Sequence, residues 1–91
     1  MKKIIEDNYQ SIVDRGFICP LTTRSDFFDK IDEEVQELKD ASFEYDLQGV
    51  KEELADVIMV CLNMAKHYDI DIEQEIKNKI EINKQRAKDG R

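Results

Sequence analysis

The segment from Asp32 to Asp56 reads DEEVQELKDASFEYDLQGVKEELAD and carries two acidic clusters. The first cluster is EEVQE at positions 33–37, and the second is EELAD at positions 52–56. Each cluster is embedded in apolar residues spaced by three and four positions, which is the pattern of a helix with one apolar face. Carboxylates that two packed helices bring together either repel one another or share a cation. The segment therefore predicts a pair of helices with a cation site.

The composition predicts an all-α fold. The 91-residue chain is rich in charged residues (38 %) and contains three glycines, one proline and few aromatic residues (8 %). This balance is typical of helices, and the length suits a single domain over residues 1–91, with the motif-bearing part at about 24–88. A domain of this size buries only a modest core. We therefore expect a bundle of about four helices whose core is completed by oligomerisation.

The charge distribution excludes some classes of partner. A net charge of -7 argues against a nucleic-acid polymer, because such a surface needs a basic stripe. No apolar run approaches membrane-spanning length, and the acidic N-terminal segment lacks the apolar centre of a signal peptide. We therefore expect no membrane partner and a cytoplasmic location. The two cysteines, Cys19 and Cys61, form neither a disulfide framework nor a zinc motif.

Apolar spacing and end signals predict two helices in the first half of the chain. The first covers residues 2–15 and ends at Gly16, because a helix often ends in a left-handed residue that glycine adopts at low cost. The second begins at a cap formed by Thr23 or Ser25 and continues to about residue 43.

Two more helices are predicted in the second half. The third covers about residues 50–68 after a turn at Gly49, and the fourth begins at Ile72, with Asp71 and Gln74 in a capping-box arrangement. The third helix is the most apolar, so we expect it in the middle of the bundle. The residues of its main apolar face are Leu54, Val57, Ile58, Cys61, Leu62 and Ala65.

The second acidic cluster lies on an inward-facing strip of the third helix. At about 100° per residue, Glu53 and Asp56 share the strip that holds Val60 and Met64 one turn later. A strip that is apolar at one end is expected to be interior along its whole length. The two acids are therefore expected to face protein rather than water.

The carboxylates of the first cluster point in different directions from the second helix. Glu34 borders the apolar face of the second helix with Lys30 one turn earlier on the same strip, Glu37 lies one step further round, and Glu33 points away. Interior acids without partners are costly in the charged form, and protonation, basic side chains or a divalent cation would relieve that cost. Oxygen ligands without histidine suit magnesium or manganese. The single histidine, His67, lies far from both clusters and is interpreted as a surface or packing residue.

The sequence resembles the MazG-like members of the all-α nucleoside triphosphate pyrophosphohydrolases. Residues 33–37 fit the Glu-Glu-x-x-Glu motif of that family, and residues 53–56 fit its Glu-x-x-Asp motif. The resemblance continues through the apolar run to residues 70–72 and covers about residue 30 to the C-terminus. Each motif is weak by itself, but their order and spacing are fairly specific.

The resemblance implies hydrolysis of a nucleoside triphosphate between the α- and β-phosphates, giving a nucleoside monophosphate and pyrophosphate. It implies magnesium, with manganese as a substitute, and homo-oligomers (dimers or tetramers) whose four-helix cores come from more than one chain. Glu34 is the expected general base and Glu33 its support. The implied metal ligands are Glu34, Glu37, Glu53 and Asp56. The implied phosphate-binding residues are Lys30, Lys79, Asn83 and Arg86.

Two alternatives remain open at this point. A phosphoribosyl-ATP pyrophosphohydrolase would have the same helical site and a different substrate. A non-catalytic acidic helical module would bind a partner protein instead, since Glu-x-x-Glu spacing is common on exposed helices. The second cluster, in an otherwise apolar helix, favours a metal site over an exposed charged face.

Overall fold

The computed structural model describes residues 1–90 as four α-helices joined by short loops, which confirms the all-α prediction. Within those residues, no helix combines the length and the apolar character needed to cross a membrane. The helices are α1 (Lys2–Asp14), α2 (Arg24–Phe43), α3 (Leu47–His67) and α4 (Ile72–Lys88).

The end of α1 and the start of α2 follow their predicted signals. Gly16 has a φ of +80°, and its N–H donates to the carbonyl of Val13 at 2.9 Å, so glycine ends α1 as predicted. Thr23 is the N-cap of α2: its hydroxyl accepts from the N–H of Asp26 at 3.2 Å, and the Asp26 carboxylate accepts from the Thr23 N–H at 2.8 Å. This reciprocal pair fixes where α2 begins.

The start of α3 differs from the prediction. Gly49 lies inside the first turn of α3 rather than in a loop, because Asp46 caps the helix by accepting the Gly49 N–H at 2.9 Å. A Cβ atom at Gly49 would collide with the Asp46 carboxylate, so any other residue here would displace the side chain that caps the helix. The helix therefore begins three residues before the predicted Val50.

Helices α2 and α3 pack against each other most extensively, and α1 packs on α3. The small core lies where these three helices meet, and its buried apolar residues are Ile18, Phe27, Val60, Leu62 and Ala65. The carboxylates on the facing sides of α2 and α3 lie beside this core.

Helix α4 does not cover α3 in the single chain. Asp71 caps α4 by accepting the Gln74 N–H at 3.1 Å, but the Gln74 side chain donates to Asn78 instead of completing a capping box. No residue of α4 is buried. As a result Leu54 (49 % exposed) and Ile58 (51 % exposed), which were predicted to be buried, lie at the surface of α3.

Candidate metal site

The two acidic clusters meet at the α2–α3 interface. Carboxylate oxygens of Glu34, Glu53 and Asp56 lie within 4.8 Å of one another, and so do those of Glu33, Glu34 and Glu37. Glu34 belongs to both groups and is the residue that joins them. The structure thus brings together all four carboxylates predicted as metal ligands.

The most enclosed members of this site have unsatisfied oxygens. Glu34 is 7 % exposed, and its Oε2 is buried without a hydrogen-bond partner among residues 1–90. The Oε2 of Glu53 is in the same condition. A buried carboxylate oxygen without a partner costs free energy unless a proton or a cation supplies the interaction. The donor set therefore fits a hard divalent cation such as Mg²⁺.

Electrostatic repulsion within the site appears in the pKa values. Burial, followed by the neighbouring carboxylates of Glu37, Asp56 and Glu34, raises the pKa of Glu53 from 4.5 to about 7. The contact with Glu34 is the largest influence on Glu37 and raises the pKa of its carboxyl group as well. The site therefore holds more negative charge than the protein alone neutralises.

Lys30 supplies part of the missing positive charge. Its Nζ lies 3.1 Å from Oε1 of Glu34 and 3.3 Å from Oε1 of Glu33. Burial lowers the pKa of Lys30, but the two carboxylates outweigh burial and raise the pKa above its usual value. The predicted phosphate-binding lysine thus contacts the predicted metal ligand Glu34 and its neighbour Glu33 directly.

The other predicted phosphate-binding residues lie apart from the carboxylates. Lys79, Asn83 and Arg86 are exposed on α4, and α4 packs extensively on none of the other three helices. Among residues 1–90 no hydrogen bond or ion pair links these three side chains to the acidic site of the same chain. Their role stays a prediction.

The strip of α3 that carries Glu53 and Asp56 continues beyond Val60 to two polar residues that the sequence interpretation did not assign to a site. Asn63 is buried, and its Oδ1 accepts from the Asn8 side chain at 2.7 Å. His67 Nε2 donates to the Thr22 carbonyl at 3.1 Å, so its Nδ1 accepts from the Tyr9 hydroxyl at 2.9 Å. The seven-residue spacings Asp56–Asn63 and Val60–His67 place these residues on the strip of the acids and were the available signal.

A cavity of about 480 Å³ lies next to the carboxylates. Its walls come from the end of α1, the α1–α2 loop, α2 and α3. Lys30 and Glu33 line it on the side of the acidic site, and Asn63 lines it on the side of α3. A volume of this size is typical of small-molecule sites.

Comparisons with known proteins agree with this geometry. The sequence model of the phosphoribosyl-ATP pyrophosphohydrolase family, which is part of the all-α nucleoside triphosphate pyrophosphatase superfamily, matches residues 2–82. No curated protein and no solved structure matches the chain. The matched range includes both acidic clusters and most of the chain. The chain therefore belongs to the phosphoribosyl-ATP pyrophosphohydrolase family, and this membership indicates a pyrophosphohydrolase that acts on phosphoric anhydrides.

Proposed function

We propose that the protein hydrolyses the anhydride between the α- and β-phosphates of a nucleotide and releases pyrophosphate, in the manner of the MazG-like enzymes. The observation that carries this proposal is the pair of buried, unpartnered carboxylate oxygens on Glu34 and Glu53 at one helix interface. A purely structural pair of helices has no reason to retain such groups, because apolar residues there would be more stable. In a metal-dependent phosphate site, the same oxygens would bind the cation.

Four carboxylates would hold the metal: Glu34, Glu37, Glu53 and Asp56. Magnesium, or manganese in its place, would reduce charge repulsion between the site and the phosphates and stabilise the leaving pyrophosphate. Glu34 would accept the proton of the attacking water, because its carboxylate is held in the site with one oxygen unpartnered. Glu33 would support Glu34 by holding Lys30 at 3.3 Å.

Positive side chains would bind the phosphate oxygens. Lys30 is already at the carboxylates, 3.1 Å from Glu34, and would pair with a phosphate when substrate enters. Lys79, Asn83 and Arg86 would reach the site from α4 of another copy of the chain, since α4 does not pack over the acids of its own chain. A site completed across copies requires a homo-oligomer, either a dimer or a tetramer.

Two substrate classes fit the proposal. A nucleoside triphosphate fits the motif spacing of the acidic clusters, and phosphoribosyl-ATP is favoured by the family match over residues 2–82. Both molecules carry the same triphosphate chain, so the metal site does not distinguish them. The net charge of -7 favours a small nucleotide bridged by metal over a nucleic-acid polymer. The free cysteines Cys19 and Cys61 suit a reducing compartment such as the cytoplasm.

The proposal is tested with a nucleotide panel that includes phosphoribosyl-ATP, assayed for pyrophosphate with and without Mg²⁺. We expect Glu53→Gln and Asp56→Asn each to lower pyrophosphate release by at least about 100-fold, because a lost ligand costs more than a lost supporting contact. Glu52→Gln is the matched control: Glu52 is exposed on the same turn of α3 and bonds only to Gln48. It should retain wild-type activity.

Thermal melting of the same variants with and without Mg²⁺ separates the enzyme from the non-catalytic module. Mg²⁺ should raise the melting temperature of the wild type and of Glu52→Gln, but not that of the Glu53→Gln, Asp56→Asn double variant. Full activity in the double variant would overturn the proposed metal site. A wild type that releases no pyrophosphate from any nucleotide and shows no stabilisation by Mg²⁺ would favour the protein-interaction module.

A further inference from the structure

The loop between α1 and α2 has a single polar attachment to another part of the protein. Within the loop, the Cys19 N–H donates to the Thr22 hydroxyl at 2.9 Å, and the Thr22 N–H donates to the Cys19 carbonyl at 3.0 Å. These two bonds close the loop on itself and do not fix it to a helix. Among residues 1–90, the only hydrogen bond that joins residues 18–22 to a helix runs from His67 Nε2 to the Thr22 carbonyl, at 3.1 Å.

The imidazole of His67 is held in one orientation. A carbonyl only accepts hydrogen bonds, so Nε2 carries the hydrogen, and Nδ1 accepts from the Tyr9 hydroxyl at 2.9 Å. The rings of Phe27 and Tyr68 pack on the imidazole, with centroids 5.1 Å and 5.0 Å from its own. His67 therefore presents one N–H donor to the loop at a fixed point on α3.

The loop is attached where it forms part of the cavity wall. Ile18 and Thr22 line the cavity at the two ends of this segment, whereas His67 does not line it. Ile18 is buried, so packing holds one end of the segment, and the bond to His67 holds the other end. Leu21 is 85 % exposed and contributes little packing between them. Without the His67 bond, this part of the wall would have no hydrogen bond to any helix among residues 1–90.

We propose that His67 is a positioning residue, whose Nε2–H holds the α1–α2 loop in place as a wall of the cavity before a ligand binds. His67 neither lines the cavity nor belongs to the carboxylate groups, so it acts through the loop and not on the chemical step. A wall that is ordered in advance reduces the conformational entropy lost on binding. The effect on nucleotide binding rests on the proposed function, whereas the effect on the order of the loop does not.

Backbone ¹⁵N relaxation of the full chain tests the attachment. The amides of residues 18, 19 and 22 should have order parameters of about 0.85 in the wild type and about 0.6 or lower in His67→Phe, which keeps an aromatic ring but removes the donor. His67→Gln supplies a donor and an acceptor again and should restore most of the order. Tyr68→Phe is the matched control, because Tyr68 packs on the same imidazole and its hydroxyl bonds to no residue from 1 to 90. No fall in His67→Phe, or an equal fall in Tyr68→Phe or His67→Gln, would overturn the proposal.

A measurement on the wild type alone tests the direction of the hydrogen bond. The ¹⁵N chemical shifts of the two ring nitrogens of His67, recorded where the ring is neutral, distinguish the nitrogen that carries the hydrogen. We expect the hydrogen on Nε2, because the Thr22 carbonyl accepts from it. A hydrogen on Nδ1 would overturn the proposal, since a bare Nε2 has nothing to donate.

Steady-state release of pyrophosphate from ATP and from phosphoribosyl-ATP, at saturating Mg²⁺, tests the consequence for binding. His67→Phe should raise the KM about three- to tenfold with kcat little changed, and His67→Gln should bring the KM back towards that of the wild type, because one hydrogen bond is lost and then replaced. A fall in kcat with an unchanged KM would overturn the positioning role. If the loop measurements hold but neither nucleotide releases pyrophosphate, the attachment stands and the proposed reaction fails.

Discussion

Among the described residues, Glu53 has the most strongly shifted pKa. Its carboxyl group is partly buried beside Glu37, Asp56 and Glu34, and one of its oxygens has no partner. Its pKa of about 7 means that, without metal, the folded protein holds a proton that the unfolded chain releases near 4.5. The folded state binds more protons over this interval, so its stability falls as the pH rises.

We therefore predict that the metal-free protein loses stability as the pH increases from about 4.5 to about 7, and that the loss levels off above that range. Glu53→Gln should flatten much of this slope, because a neutral amide has no proton to lose. Thermal melting in a chelator across this pH range measures the effect. Glu52→Gln should retain the wild-type slope, and an unchanged slope in Glu53→Gln would show that Glu53 is not the titrating group.

Some of the site could be predicted from helical spacing alone. The strip that joins Glu53 and Asp56 to Val60 predicted inward-facing acids, and both acids are half-buried beside a buried Val60. The contact between Asn8 and Asn63 was not predictable in this way, because it joins residues 55 positions apart. Local periodicity describes one helix at a time and contains no information about which residue of another helix lies opposite.

At the level of elements, α1 is attached to α3 by polar contacts as well as by packing. The Asn8 amide donates to Asn63 at 2.7 Å and to the Met59 carbonyl at 3.3 Å. His67 forms two further hydrogen bonds, one with the Tyr9 hydroxyl of α1 and one with the Thr22 carbonyl of the α1–α2 loop. These contacts determine where α1 and the loop lie, and so they also shape the cavity wall.

Asn8→Ala should therefore destabilise the fold by about 1–3 kcal/mol, because it leaves the buried Asn63 oxygen without a donor. Gln10→Ala is the control on the same helix: Gln10 is exposed and bonds only to Asp14 at 2.8 Å, so its loss should change stability by less than about 0.5 kcal/mol. Urea unfolding of the two variants measures both values. Equal losses would mean that the Asn8–Asn63 contact contributes nothing specific.

The ends of the helices show which local sequence signals suffice to predict a helix boundary. Gly16 and Thr23 marked real boundaries because each acts through its own neighbours, by a left-handed φ in one case and a reciprocal cap in the other. Gly49 was misinterpreted as a turn because glycine serves there to make room for the Asp46 cap. The composition of a segment does not distinguish these two uses of glycine.

At the level of the whole molecule, the single chain leaves apolar surface uncovered. Leu54 and Ile58 on α3 are about half exposed, and so are Ile76 (43 %) and Ile80 (46 %) on α4. The sequence predicted that α3 is central, and this surface is what a second copy would bury in the proposed oligomer. Hydrophobic association of this kind requires a contiguous apolar face, and the spacing of Leu54 and Ile58 supplies one turn of it.

We predict that Ile58→Glu converts the oligomer into a monomer, because a charge would be buried in the interface. Light scattering coupled to size exclusion measures the mass. Ile4→Glu is the control, since Ile4 is 62 % exposed and belongs to α1 rather than to α3 or α4. A wild type that is monomeric at micromolar concentration, or an Ile58→Glu variant that stays oligomeric, would contradict the shared core.

The ion pair between Lys30 and Glu34 has a consequence for the order in which ligands bind. In the metal-free protein the Lys30 ammonium lies 3.1 Å from Oε1 of Glu34, so a metal bound at the other oxygen of this carboxylate would repel the lysine and favour its departure. Phosphate that draws Lys30 away lowers the cost of metal binding, and metal that displaces Lys30 leaves it free for phosphate. By thermodynamic reciprocity each ligand strengthens the binding of the other. We therefore expect the site to load cooperatively, with metal and nucleotide held weakly alone and more tightly together.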